Sequence, residues 1–197
     1  VPLFDNNVHN TDKYFQVAKT MKLGDYLTMI ENGPTNLRIF LFDIFKKIPS
    51  LNDDVRFPTI MDGFVKGYKF VFFGGQDAEV NLHYDMDCSH VFLTQFQPRK
   101  KVILFPPSQS RFLYQHPFTV MSHVHPLKPD YTKHPAAKNA VGYEAVLQHG
   151  ETLFIPQLWW HYILYIDGGF SLSLRAHDSL LTTVRGAYNV ARHVLLD

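Results

Sequence analysis

Apolar positions recur at helical spacing in the first quarter of the chain. From residue 68 onward they run in short blocks or alternate. Asp25-Tyr26-Leu27-Thr28-Met29-Ile30 reads as a short helix. A second pattern runs from Leu37 towards Ile48, with apolar residues at 37, 40, 41, 44, 45 and 48. That spacing predicts one buried helical face, although its Ile- and Phe-rich start also suits a strand. Pro49 and Asn52-Asp53-Asp54 end it. Val1 to Lys22 has no clear period. Expected strands then follow closely: Tyr68–Phe73, Glu79–Asp85, Val91–Gln97, Lys101–Phe105, Tyr143–Leu147, Thr152–Ile155, His161–Ile166 and Gly169–Arg175. Pro106-Pro107, His149-Gly150 and Asp167-Gly168-Gly169 mark turns between them.

Many short strands with turns between them predict an all-β sandwich or barrel. Phe118 to Ala140 is a long loop holding three prolines and three of the eleven histidines, and loops of that length are often functional. Asp178 to Leu195 reads as a helix with apolar residues at 180, 184, 188, 191 and 195. It is expected to dock on the sheet or to pair with a second copy as a homodimer. The expected organisation is one domain over residues 1–197: a helical region at about 1–55, a barrel at about 60–176 and a C-terminal helix at about 178–195.

Composition narrows the function classes. With 197 residues, 46% hydrophobic and 19% charged, the chain can bury a sizeable core. Aromatics at 15% suit a β-rich interior. A net charge of +1 without a basic run points away from direct nucleic-acid binding. One cysteine, Cys88, excludes an intrachain disulfide and a cysteine-rich zinc site. No apolar run approaches the roughly 20 residues of a membrane span, and no signal-peptide pattern opens the chain. A cytoplasmic location and no membrane partner are the expectation.

The chemistry concentrates in a few positions. In a strand, residues i and i+2 share a face, so His83 and Asp85 of His83-Tyr84-Asp85 can converge on one metal ion. His161, 78 residues downstream of His83, can complete a 2-His-1-carboxylate triad, whose open positions suit non-haem Fe(II) oxygenases. An isolated His-x-Asp is common, and a lone buried histidine is more often plain core; the surrounding context gives the group its weight. Lys100 and Lys101 point to opposite faces of the next strand, so only one can enter a barrel. His123-Val124-His125 has similar metal-ligand spacing but no evident carboxylate partner, and a solvated loop pair is its blander reading.

These residues, in order, resemble the JmjC and cupin-like Fe(II)/2-oxoglutarate oxygenases, most closely the asparaginyl hydroxylase subgroup (factor inhibiting hypoxia-inducible factor). The likeness is carried by Leu82-His83-Tyr84-Asp85, Lys100 to Pro107, Val141 to Glu144, Gly150 to Pro156, Trp159-Trp160-His161 and Gly168 to Ser173. It implies a double-stranded β-helix, a jelly-roll barrel with helices outside. It also implies His83, Asp85 and His161 as iron ligands, Lys100 as anchor of the 2-oxoglutarate tail, and O2 as co-reactant. Trp159 and Trp160 are expected to wall the site or to fill the barrel core.

The resemblance has departures. A tyrosine and a threonine that assist the lysine in that subgroup correspond here to Phe40 and Val80, neither a donor, with Asn81 as a neighbouring substitute. A late-strand asparagine corresponds to Arg175, either a second carboxylate-binding residue or a surface partner of Asp178. The segment after Asp85 is about two residues longer than in that subgroup. The implied substrate is a protein or peptide side chain, or alternatively a small molecule; a third reading is a non-catalytic metal-binding barrel.

Overall fold

A computed structural model describes residues 1–5, 16–97 and 99–196. Two antiparallel sheets face each other. The larger has the order β2-β1-β3-β4-β11-β6-β9 and the smaller β5-β10-β7-β8. The strands are β1 (Pro2–Asp5), β2 (Val17–Thr20), β3 (Leu37–Phe42), β4 (Phe64–Gly74), β5 (Glu79–His83), β6 (His90–Gln97), β7 (Lys100–Phe105), β8 (Tyr143–Leu147), β9 (Thr152–Ile155), β10 (Trp160–Tyr165) and β11 (Gly169–Ala176). The helices are α1 (Leu23–Glu31), α2 (Ile44–Lys47) and α3 (Leu180–Leu196). This is the jelly-roll core, with β1 to β3 widening the larger sheet.

Strand alternation divides the apolar residues among three layers. Val91, Leu93, Val102, Leu104, Leu147 and Ile155 meet inside the barrel. The outer face of the smaller sheet, with Ile103, Phe105, Trp160 and Tyr162, is covered by Leu113, Val120, Met121 and Val124. The outer face of the larger sheet, with Val71, Phe73, Leu172 and Leu174, is covered by Tyr26, Ile30 and Phe45. The long loop is therefore core cover as well as connection. Its backbone bonds to β5 and to the residue after it, from Ser122 N–H to the Leu82 carbonyl (2.9 Å) and from Tyr84 N–H to the Val120 carbonyl (3.1 Å).

The expected helix over residues 37–48 is half strand. β3 occupies Leu37–Phe42, and the short α2 follows, capped by Asp43, whose carboxylate accepts from Lys46 N–H. Against β4, Ile39 lies opposite Phe73 and Phe42 opposite Val71, so three residue steps face two. That bulge places Phe40 and Leu41 side by side and breaks the alternation, and the resulting apolar spacing imitates a helical period. Leu41 lies in the left-handed region at φ 53°. The expected helical region at 1–55 thus also contains β1, β2 and β3. Residues 6–15 lie outside the described residues.

α3 docks with its small and polar face. The Asn189 side-chain amide donates to the Met86 carbonyl (3.2 Å) and to Cys88 Sγ (3.4 Å). Gly186 packs so closely that a Cβ there would lie 2.0 Å from the Asp87 carbonyl oxygen. Leu181, Val184 and Tyr188 remain exposed, and the expected apolar position 195 lies outside the described side chains. No helix among the described residues is long and apolar enough to cross a membrane.

Gly→Ala in a helix interior ordinarily gains about 1 kcal/mol. Gly186→Ala is expected to do the reverse, lowering Tm and speeding proteolysis of α3. An unchanged or higher Tm would contradict the docking.

Candidate metal centre and cavity

The register of β5 against β10 builds the centre. His161 lies directly opposite His83, and the pairing then shifts so that Ile163 faces Val80. This bulge gives β5 one extra residue, which changes the face of the side chains before it. His83 and His161 both point into the barrel, with ring centroids 4.2 Å apart. Asp85, two residues beyond His83, reaches the same point. One ligand atom from each of His83, Asp85 and His161 lies within 4.8 Å of the others, and His161 Nε2 is 3.8 Å from Asp85 Oδ2.

Both imidazoles are set for ligation. His83 Nδ1 is 2.7 Å from the Asn81 carbonyl and His161 Nδ1 is 3.1 Å from the Trp159 carbonyl. A carbonyl can only accept, so Nδ1 carries the proton and the Nε2 lone pair faces the centre. Burial, with His161 beside it, lowers the His83 pKa to about 3, so the ring is neutral at pH 7. Burial opposes ionisation of Asp85. The Arg175 guanidinium, 2.9 Å from Asp85 Oδ1, and the two histidines outweigh it and hold the carboxyl at about 2. Two imidazoles presenting Nε2 and an ionised carboxylate, all in one small volume, are a fit donor set for a divalent ion.

A cavity of about 540 Å³ opens beside the triad. Its far wall carries Lys100, only 1% exposed. The ammonium donates to Ser171 Oγ and sits 4.1 Å from the Tyr165 ring centroid. Ser171 in turn donates to Gln95 Oε1 (2.8 Å). Burial lowers the Lys100 pKa to about 7. Lys101 points outward and pairs with Glu144 at 2.8 Å. The remaining walls are largely apolar, including Phe70, Phe72, Leu93 and Ile163.

The pattern of the cupin-like domain family matches residues 3–184. The chain belongs to this family. This cupin-like chain is 41% identical over 100 residues to HSPB1-associated protein 1 homolog of Danio rerio, covering 48% of this chain and 22% of the relative. It is 37% identical over 103 residues to JmjC domain-containing protein D of Dictyostelium discoideum (50% and 22%). It is 32% identical over 166 residues to human tRNA wybutosine-synthesizing protein 5 (82% and 49%). The chain spans half or less of the length of these three relatives. None of them is an asparaginyl hydroxylase by name.

Several sequence expectations change in this cupin-like barrel. Arg175 is neither a surface residue nor a partner of Asp178. It is buried, and its Nη1 contacts Asp85, Asp87 (3.2 Å) and Ser89 Oγ (3.1 Å). Its Nη1 thus bridges the triad carboxylate and the turn after Asp85, and the residue also lines the cavity. Asp178 pairs instead with His90 at 3.0 Å. Asn81 does not line the cavity, because the β5 bulge brings Val80 to the interior instead. His125 has a carboxylate partner after all, Glu79 at 3.0 Å, while His123 stacks on His116. Trp159 packs at the edge of the barrel interior, whereas Trp160 lies on the outer face and donates to Ser110 Oγ. Sequence reasoning missed Arg38, which is 2% exposed and lines the cavity beside Phe40. A strand reading of Leu37–Phe42 was the signal that would have placed it indoors.

A histidine held well below its ordinary pKa binds fewer protons folded than unfolded. Stability of the metal-free protein is therefore expected to fall as pH drops from about 6.5 towards 3, and His83→Gln should flatten that slope. Mn(II) should raise Tm at pH 7, and His83→Ala or Asp85→Ala should remove this shift. A Tm response to Mn(II) that survives both substitutions would place the metal elsewhere.

Proposed function

We propose that this chain carries an Fe(II)- and 2-oxoglutarate-dependent oxygenase centre that hydroxylates a side chain of a protein or peptide. The observation that carries this reading is the pairing of a 2-His-1-carboxylate group with a buried lysine across one cavity. Family membership supports it. His83, Asp85 and His161 would hold the iron, and Lys100 would bind the distal carboxylate of 2-oxoglutarate. Iron bound there supplies O2 activation with 2-oxoglutarate as reductant, so that R–H, 2-oxoglutarate and O2 give R–OH, succinate and CO2.

The protein's own groups do the rest. The Asn81 and Trp159 carbonyls fix the histidine tautomers. Arg175 keeps Asp85 ionised and occupies its Oδ1, leaving Oδ2 towards the centre. The apolar walls exclude water, which strengthens the attraction between the Lys100 ammonium and a carboxylate. A second substrate reading, a modified nucleoside of tRNA, is favoured by the likeness to tRNA wybutosine-synthesizing protein 5; the near-neutral net charge favours the peptide. The exposed stripe of α3 supports pairing of two copies through that helix.

Anaerobic addition of Fe(II) and 2-oxoglutarate should produce a visible metal-to-ligand absorption band, and O2 should then release succinate. No 2-oxoglutarate binding by the iron-loaded protein would end this proposal. Succinate release above the uncoupled rate with tRNA but not with peptide pools would select the second reading. Lys100→Ala should weaken 2-oxoglutarate binding far more than Lys101→Ala.

Lys100 has a pKa of about 7 in the ligand-free protein, so at pH 8 it is mostly neutral, and an arriving carboxylate raises that pKa. Binding at pH 8 should therefore take up protons and weaken as pH rises. Calorimetry in two buffers of different ionisation enthalpy reads this uptake, which Lys100→Ala should abolish.

A further inference from the structure

The interior face of β11 is polar where the rest of the barrel lining is mostly apolar. Ser171, Ser173 and Arg175 stand in a row along it. At one end Ser171 accepts from Lys100 and donates to Gln95. At the other end Arg175 is held by Asp85, Asp87 and Ser89. Ser173, between them, differs. It is 1% exposed and lines the cavity, and its Oγ has no hydrogen-bond partner among the described residues.

Its cross-strand neighbours explain the orphaned hydroxyl. Ser173 lies opposite Phe70 on β4 and Leu93 on β6, and neither side chain can donate or accept. Phe40 and Val80 also line the cavity and bring no donor. A buried hydroxyl without a partner is unfavourable unless a ligand satisfies it. We propose that Ser173 donates its hydroxyl proton to the distal carboxylate of a short 2-oxo dicarboxylate, forming with the Lys100 ammonium a two-point clamp. The hydroxyl that β3 and β5 do not supply comes from β11. This inference rests on the oxygenase reading above and adds a residue to its cosubstrate site.

The test uses the full chain loaded with Mn(II), which binds without turnover. Two ligands are titrated: 2-oxoglutarate, and 2-oxopentanoate, which has the same five carbons but no distal carboxylate. Ser173→Ala is expected to raise the Kd for 2-oxoglutarate about tenfold, the scale of one hydrogen bond to a charged group. It should leave the Kd for 2-oxopentanoate and the affinity for Mn(II) unchanged. Ser173→Thr, which keeps the hydroxyl, should retain the preference for 2-oxoglutarate over 2-oxopentanoate. Equal weakening of both ligands by Ser173→Ala would mean a packing role and overturn the proposal, as would wild-type affinity for 2-oxoglutarate. If Lys100→Ala weakens 2-oxoglutarate while Ser173→Ala does not, only this inference fails. If the wild-type protein binds no 2-oxoglutarate, the oxygenase reading fails and this one with it.

Discussion

The pairing of His161 with His83 across β5 and β10 is the constraint on which the site depends. A slip of one residue would turn one imidazole out of the barrel, because side chains alternate at period two. The bulge beside the pair lets Val80 and His83 both face inward although they are three residues apart. It also leaves the Asn81 carbonyl within reach of His83 Nδ1. One irregularity in one strand thus sets the ligand face, the tautomer of a ligand and the shape of the adjoining wall.

Such a site requires polar and charged groups inside an apolar barrel, and three cations meet that requirement differently. Arg175 is compensated by Asp85 and Asp87. At about 4 Å and an effective dielectric of 20, each such attraction is worth roughly 4 kcal/mol before desolvation is subtracted. Among the described residues Lys100 has no carboxylate partner. A serine hydroxyl and a tyrosine ring face stabilise its ammonium less than a carboxylate would, and its pKa falls to about 7. That under-compensated charge is what makes the far wall receptive to an anion. Arg38, opposite Gly74 on β4, rests against Phe40 on the remaining wall.

The outer layers hold this interior in place. The long loop is hydrogen-bonded to β5 and seals the outer face of the smaller sheet. α3 clasps the turn after Asp85 through Gly186 and Asn189. That turn, with Cys88 at φ 53°, carries Asp87 and Ser89 to Arg175. The turn after Asp85 and the arginine on β11 are two halves of one contact. The exposed apolar stripe of α3 lies away from it.

The strands from Tyr68 onward were legible because each is a short block with period-two alternation and a turn on either side, a local property that survives into the fold. The His83-Tyr84-Asp85 spacing and the opposite faces of Lys100 and Lys101 were legible for the same reason. Whatever depended on an extra residue was not. The bulge in β3 made a strand resemble a helix and hid Arg38, and the bulge in β5 sent Asn81 away from the cavity it was expected to line. The Arg175–Asp85 pair, 90 residues apart in sequence, could not be read from either neighbourhood. The sequence by itself determined which side chains share a face of each strand. Only the tertiary structure decided which face is inside, because that depends on the register between strands distant in the chain and on the layers packed against them.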